Sequence, residues 1–257
     1  MSTANAVMLA LSVALEAWLA RLLILRDIRR HFPIFYTYTM YLLLVAAGRL
    51  AAVISYRAYF YVYWWTDPLI MLLGLAGVHE VFRWVYEGFY ELRWFRRLYF
   101  GVIALVLLLT VWNALSNPPI QAHPVIGLLV DISIAVNLIQ ACIVAFFSAF
   151  IRPLGIDFRR YAFGIAAGFG VSSIGPFVGY FARSVFGTEA NNFTSYSSSV
   201  AYILALLIWI AAFSRPEPEE QAWTPPMAPD EMLRTLEAYL RGLGIKEKTR
   251  KGESDER

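Results

Sequence analysis

Cysteine, histidine and charge are all scarce in this 257-residue chain, and each scarcity removes a class of chemistry. One cysteine, Cys142, excludes a disulfide framework, a thiol redox pair and any multi-cysteine metal site. The three histidines, His31, His79 and His123, lie in separate segments. Neither paired haem ligation nor a three-histidine zinc site can be assembled from them within one chain, so no metal and no cofactor is expected. Charged residues are 16% of the chain, well under the roughly 25% of ordinary soluble domains. The 22 basic and 19 acidic residues are also unevenly spread, with 8 and 10 of them in the last 44 positions. Residues 1–213 are therefore poorer still in charge.

Apolar side chains are abundant instead. The chain is 59% hydrophobic with a mean hydropathy of +0.54, a composition that belongs in a bilayer. A crossing needs about 20 apolar residues, so residues 1–213 hold six or seven spans with short loops and leave no room for a separate extramembrane domain. Apolar runs at 5–25, 34–54, 61–85, 98–115, 125–151, 161–181 and 196–213 predict seven. The expected fold is all-α: a polytopic seven-helix transmembrane bundle over 1–213 followed by a tail over 214–257.

Basic residues in short loops are retained on the cytoplasmic side. The first loop carries Arg26, Arg29 and Arg30, the third Arg93, Arg96 and Arg97, the fifth Arg152, Arg159 and Arg160, whereas the even loops carry only Arg57 and Arg183. This places the amino terminus outside and the carboxyl terminus inside, in the cell membrane. No basic residue precedes the first run and Arg21 and Arg26 follow it, which favours a retained span over a cleaved signal. The pI near 9.0 has the same topological origin, and no nucleic-acid partner is expected.

Ionisable side chains inside a bilayer are costly and mark candidate sites. Arg49, Asp67 and Asp131 each fall five or six positions from the outer end of a span, so they share one depth on three helices. They predict a neutralised polar network that is either a structural clamp or a ligand or proton site. Glu16, His79, Glu80 and Arg83 form a second, inner-side set in which Glu80 and Arg83 stand three residues apart. His79-Glu80 resembles part of a zinc-protease motif, but Arg83 occupies the position of the second histidine, and no metal site is assigned.

Three weaker patterns concern packing. Ser133, Asn137 and Gln140 make a polar stripe on the fifth run, suited to hydrogen bonds between helices. The sixth run repeats glycine at Gly164 and Gly168 and again at Gly175 and Gly179, a small-residue face open to a neighbouring helix or to a second copy of the chain. Pro68 and Pro176 each remove a helical hydrogen bond and predict bends.

In the tail, a Pro/Glu-rich linker at 216–229 leads into a helical pattern at 230–241. Leu233, Leu236, Tyr239 and Leu240 recur there at helical spacing as a partner-binding stripe that docks on the membrane, the inner loops or a cytoplasmic protein.

The topology looks like that of microbial rhodopsins, but the lysines are Lys246, Lys248 and Lys251, which leaves none in the last span for a retinal Schiff base. No paired nucleophile and base is found, so no catalytic residue is assigned and a non-enzymatic role is favoured. The leading reading is a receptor-like or scaffold module with a partner-binding tail. The alternative is a transporter or channel for a small solute or proton that uses Arg49, Asp67 and Asp131.

Overall fold

The computed structural model describes residues 3–52, 56–86, 93–116, 124–151, 160–186, 191–216 and 229–242. Within them the chain is helical throughout, with no strand: α1 (Thr3–Leu25), α2 (Pro33–Ala52), α3 (Tyr56–Val85), α4 (Arg93–Ser116), α5 (Pro124–Ile151), α6 (Arg160–Phe186), α7 (Asn191–Ser214) and α8 (Pro229–Gly242). The first seven cover the seven apolar runs, and α8 covers the tail pattern. α3 begins five residues before its run because the aromatic stretch from Tyr56 is itself helical.

Five helices contain an apolar stretch long enough to cross a membrane: Val7–Leu25, Pro33–Ala52, Trp65–Val85, Arg160–Gly179 and Asn192–Ser214. Among the described residues the apolar stretches of α4 and α5 are Tyr99–Trp112 and Ile132–Phe146, shorter than the roughly 20 residues of a crossing. Large apolar side chains also face outward along the bundle, among them Leu44 (69% exposed), Leu72 (62%) and Trp112 (73%). A water-soluble domain rarely leaves so many uncovered, whereas lipid covers them. The chain has the helices of a multi-pass membrane protein.

The bundle closes as a ring. α1 packs on α2, α2 on α3, α3 on α6, α6 on α7 and α7 back on α1, while α5 wedges against α3 and α6 and carries α4 on its outer side. The tightest seam is α6–α7, and the glycines of α6 explain it. A Cβ at Gly164 would collide with Ala212, at Gly168 with the Trp209 indole, at Gly175 with Ala201, and at Gly179 with Thr194. Gly170 meets Val144 of α5 in the same way. Lipid supplies little hydrophobic drive between helices, so close contact and interhelical hydrogen bonds must hold them. Ser197 Oγ donates to the Gly175 carbonyl (3.2 Å) and Thr194 Oγ1 to the Gly179 carbonyl (2.8 Å) across this seam. The small-residue face of α6 thus lies against helices of the same chain.

The two faces of the bundle differ. On the face where α2 and α6 begin and α1, α3 and α7 end, the interior is filled by Phe35, Tyr38, Phe169, Trp209 and Phe213, whose rings meet at 5.2–6.5 Å between centroids. α1 ends at Leu25, and the chain turns at Asp27, a non-glycine residue with φ 50° whose carboxylate pairs with Arg30. Pro33, whose missing N–H costs nothing in a first turn, restarts the helix. Helix ends on this face are capped from neighbouring helices. Arg26 donates to the last carbonyls of α7, Phe213 (3.3 Å) and Ser214 (3.1 Å). Glu80 accepts the N–H groups of Ile34 (3.0 Å) and Phe35 (2.9 Å) at the start of α2. A cation at a helix C-terminus and an anion at an N-terminus both oppose the helix dipole favourably.

Candidate functional site

The opposite face, where the amino terminus lies, is hollow. A cavity of about 620 Å³ opens between α1, α2, α3 and α7, within the roughly 300–1,000 Å³ usual for small-molecule sites. Each helix lines it at helical spacing: Met8, Leu9, Ser12 and Glu16 from α1, Leu42, Val45, Ala46 and Arg49 from α2, Asp67 and Ile70 from α3, and Ser195, Ser198, Ser199, Tyr202 and Ile203 from α7. About half of the lining residues are apolar, and charge enters at three positions.

Arg49 and Asp67 form the charged wall nearer the face. Nη2 of Arg49 donates to Asp67 Oδ1 (3.3 Å) and to Thr66 Oγ1 (3.2 Å), so one guanidinium arm ties α2 to α3. The hydroxyl of Thr66 donates a hydrogen bond to the Val62 carbonyl (2.7 Å), and its oxygen is left to accept from the arginine. Arg49 and Asp67 keep 20% and 27% of their side-chain exposure, so the cavity is reached from outside the protein rather than sealed.

Glu16 lies deeper and is only 3% exposed. Its Oε1 accepts the Tyr202 hydroxyl at 2.6 Å, which fixes the carboxyl between α1 and α7. Its Oε2 is buried and accepts no hydrogen bond among the described residues. The sequence grouped Glu16 with His79, Glu80 and Arg83, but the structure sets it in the cavity with Arg49 and Asp67. Position along a helix fixes depth only, and Glu16 falls on the face of α1 that turns toward α2 and α7.

The rest of that inner-side set is dispersed. Glu80 points to the start of α2 as described above. His79 faces α4, its Nδ1 3.2 Å from Tyr99 Oη and its ring against Phe100. Arg83 is exposed on α3. Among the described residues no group of His, Cys, Asp or Glu is arranged to hold a metal ion. Asp131 belongs to α5, and Leu233, Leu236, Tyr239 and Leu240 to α8, but their side chains lie outside the described residues.

The polar stripe of α5 divides. Gln140 crosses to α6, where Ser173 Oγ donates to its Oε1 (2.9 Å) in the buried interior, whereas Asn137 turns back on its own helix to the Ser133 carbonyl (2.8 Å). Gln140 therefore joins helices and does not line the cavity.

Sequence reasoning missed Tyr202 and the α7 serines. Their signal was present: residues 194–199 read Thr-Ser-Tyr-Ser-Ser-Ser, five hydroxyl groups and a phenol at the start of an apolar span. The chain matches no protein-family model, no curated protein and no solved structure.

Proposed function

We propose that this chain is a seven-span, amino-terminus-out membrane protein of receptor-like type that takes a small polar solute into the cavity between α1, α2, α3 and α7. One observation carries the reading: a half-polar cavity with three charged side chains on one face of a bundle whose other half is filled with aromatic rings. The arginine-rich loops put the open face outside. α4 and α5 complete the seven spans through their full lengths of 24 and 28 residues, about 36 and 42 Å at 1.5 Å per residue, with Arg93, Arg96 and Arg97 at the interface. The tail presents the amphipathic α8 to the membrane surface or a cytoplasmic partner.

A solute carrier that uses Arg49, Asp67 and Glu16 is the second reading, favoured by the buried acidic group within a span. The aromatic filling below the cavity favours the receptor.

Thiol labelling tests the site. In a Cys142→Ala background, an impermeant reagent applied outside is expected to modify Ser198→Cys in the cavity and spare Ala205→Cys two turns deeper, where the native residue is wholly buried. Protection of both would overturn the outward-open cavity. Flux of a bound solute into proteoliposomes that persists after removal of residues 214–257 would favour the carrier.

A further inference from the structure

The cavity has an uneven supply of hydrogen-bond donors and acceptors. Three of its serine hydroxyls donate to carbonyls of their own helices: Ser12 to Leu9, Ser198 to Thr194 and Ser199 to Ser195, each at 2.9 Å. The Tyr202 hydroxyl donates to Glu16. A hydroxyl whose proton is engaged keeps its oxygen lone pairs, so these groups meet a ligand as acceptors. Glu16 Oε2 adds a buried acceptor with no donor opposite it among the described residues. The charged donor of the lining is Arg49, which gives Nη2 to Asp67 and Thr66 and keeps further N–H groups on the same guanidinium. Formal charge leans the same way, with Glu16 and Asp67 against Arg49.

A buried carboxyl oxygen without a donor is unfavourable, and a ligand that brings an N–H group there relieves it. Met8, Leu9, Leu42, Val45, Ala46, Ile70 and Ile203 would meanwhile cover a short hydrocarbon portion. We infer that the cavity binds a small alkylammonium cation, with the ammonium group at the Glu16 carboxyl and the chain against the aliphatic walls. The inference rests on the solute-site reading above and assigns its ligand class.

Three probes of matched length separate the possibilities: n-butylammonium, n-butanol and n-butyrate, titrated calorimetrically into the full chain in nanodiscs with empty nanodiscs as blank. Butylammonium is expected to bind at least about tenfold more tightly than either of the others, a difference of roughly one decade in dissociation constant. Glu16→Gln keeps an oxygen for Tyr202 and is expected to weaken butylammonium by about tenfold. Ser198→Phe, which fills the cavity and leaves Glu16 in place, is expected to abolish binding, and it keeps the test decisive if the Glu16 variant does not fold. Equal binding of the three probes, preference for butyrate, or butylammonium binding unchanged in both variants would overturn the inference. Butyrate binding that Ser198→Phe removes would overturn the cation while leaving the site reading intact. Binding of none of the probes would also overturn the inference, and the thiol labelling then decides the site separately.

Discussion

The Trp209 indole N–H donates to the Ile165 carbonyl at 3.1 Å, and the ring that makes this bond lies where a Cβ of residue 168 would be. Trp209 is wholly buried and also touches Phe35, Tyr38 and Phe169, so it joins α7 to α6 and α2 at once. Gly168 permits that contact. The indole is rigid and hemmed in by the rings of Phe35, Tyr38 and Phe169, so yielding to a Cβ would disturb those contacts.

Gly168→Ala is accordingly expected to destabilise the bundle by about 1–3 kcal/mol, the usual range for overpacking. Gly101→Ala is the control, because nothing lies within 4 Å of a Cβ there. Thermal unfolding in one detergent measures both. Equal midpoints would mean that the α6–α7 seam gives way more easily than its geometry implies.

Glu80 replaces water as the acceptor for the first N–H groups of α2. Glu80→Gln keeps the shape but offers one acceptor oxygen without charge, and a charge-assisted bond of this kind is worth about 1.5–3 kcal/mol. Faster amide exchange at Ile34 and Phe35, with α7 amides unchanged, is the expected signature. Uniformly faster exchange would assign Glu80 to the stability of the whole bundle instead of to this helix end.

Much of the fold was legible because length and apolarity are what a bilayer selects. The predicted runs and the helices agree to within a few residues at most ends, and the α5 stripe expected to bond between helices does so at Gln140 but not at Asn137. What one sequence lacks is rotation about each helix axis. Arg49 and Asp67 could be brought together by depth alone, but Glu16 needed the packing of α1 on α7 to show which way it turns. The partner of Glu80 was hidden for another reason. It is main-chain N–H, and main chain leaves no residue type to read beyond Pro33 at the first turn.

The orientation predicts a labelling pattern of its own. In the Cys142-free chain, a cysteine at Asn117 is expected to react with an impermeant reagent from outside and one at Asp157 to be spared. The loop at 116–123 has no Lys or Arg, whereas the loop around 157 has Arg152, Arg159 and Arg160. The reverse pattern would invert the protein and move the cavity to the cytoplasmic side.

The tail stripe is tested by charge. Leu236→Glu with Leu240→Glu puts two carboxylates on the apolar face of α8, and amide protection across 230–241 in the membrane-bound protein is expected to disappear. If the unaltered segment is unprotected both alone and with candidate partners, α8 has no docking role.

The last prediction concerns what holds the cavity wall. An arginine placed within hydrocarbon is unfavourable by roughly 2.5–3.5 kcal/mol on insertion scales, less where the side chain reaches the interface. Arg49 meets Asp67 at 3.3 Å with about a quarter of each side chain exposed, so the pair is neither fully screened nor fully buried. Removing the guanidinium strands a carboxylate, and removing the carboxylate strands a guanidinium, whereas removing both charges strands neither. Arg49→Leu combined with Asp67→Asn should therefore cost less than the sum of the single changes, with a coupling of about 0.5–2 kcal/mol in thermal unfolding. A matching cycle with Asp131→Asn asks whether that carboxylate shares the same guanidinium, and the proposed three-helix network requires coupling there as well. Strict additivity with Asp67 would reduce the observed bridge to a contact without energetic weight. Coupling with unchanged butylammonium affinity would make Arg49–Asp67 a structural clamp beside the ligand, leaving Glu16 as the group that binds it.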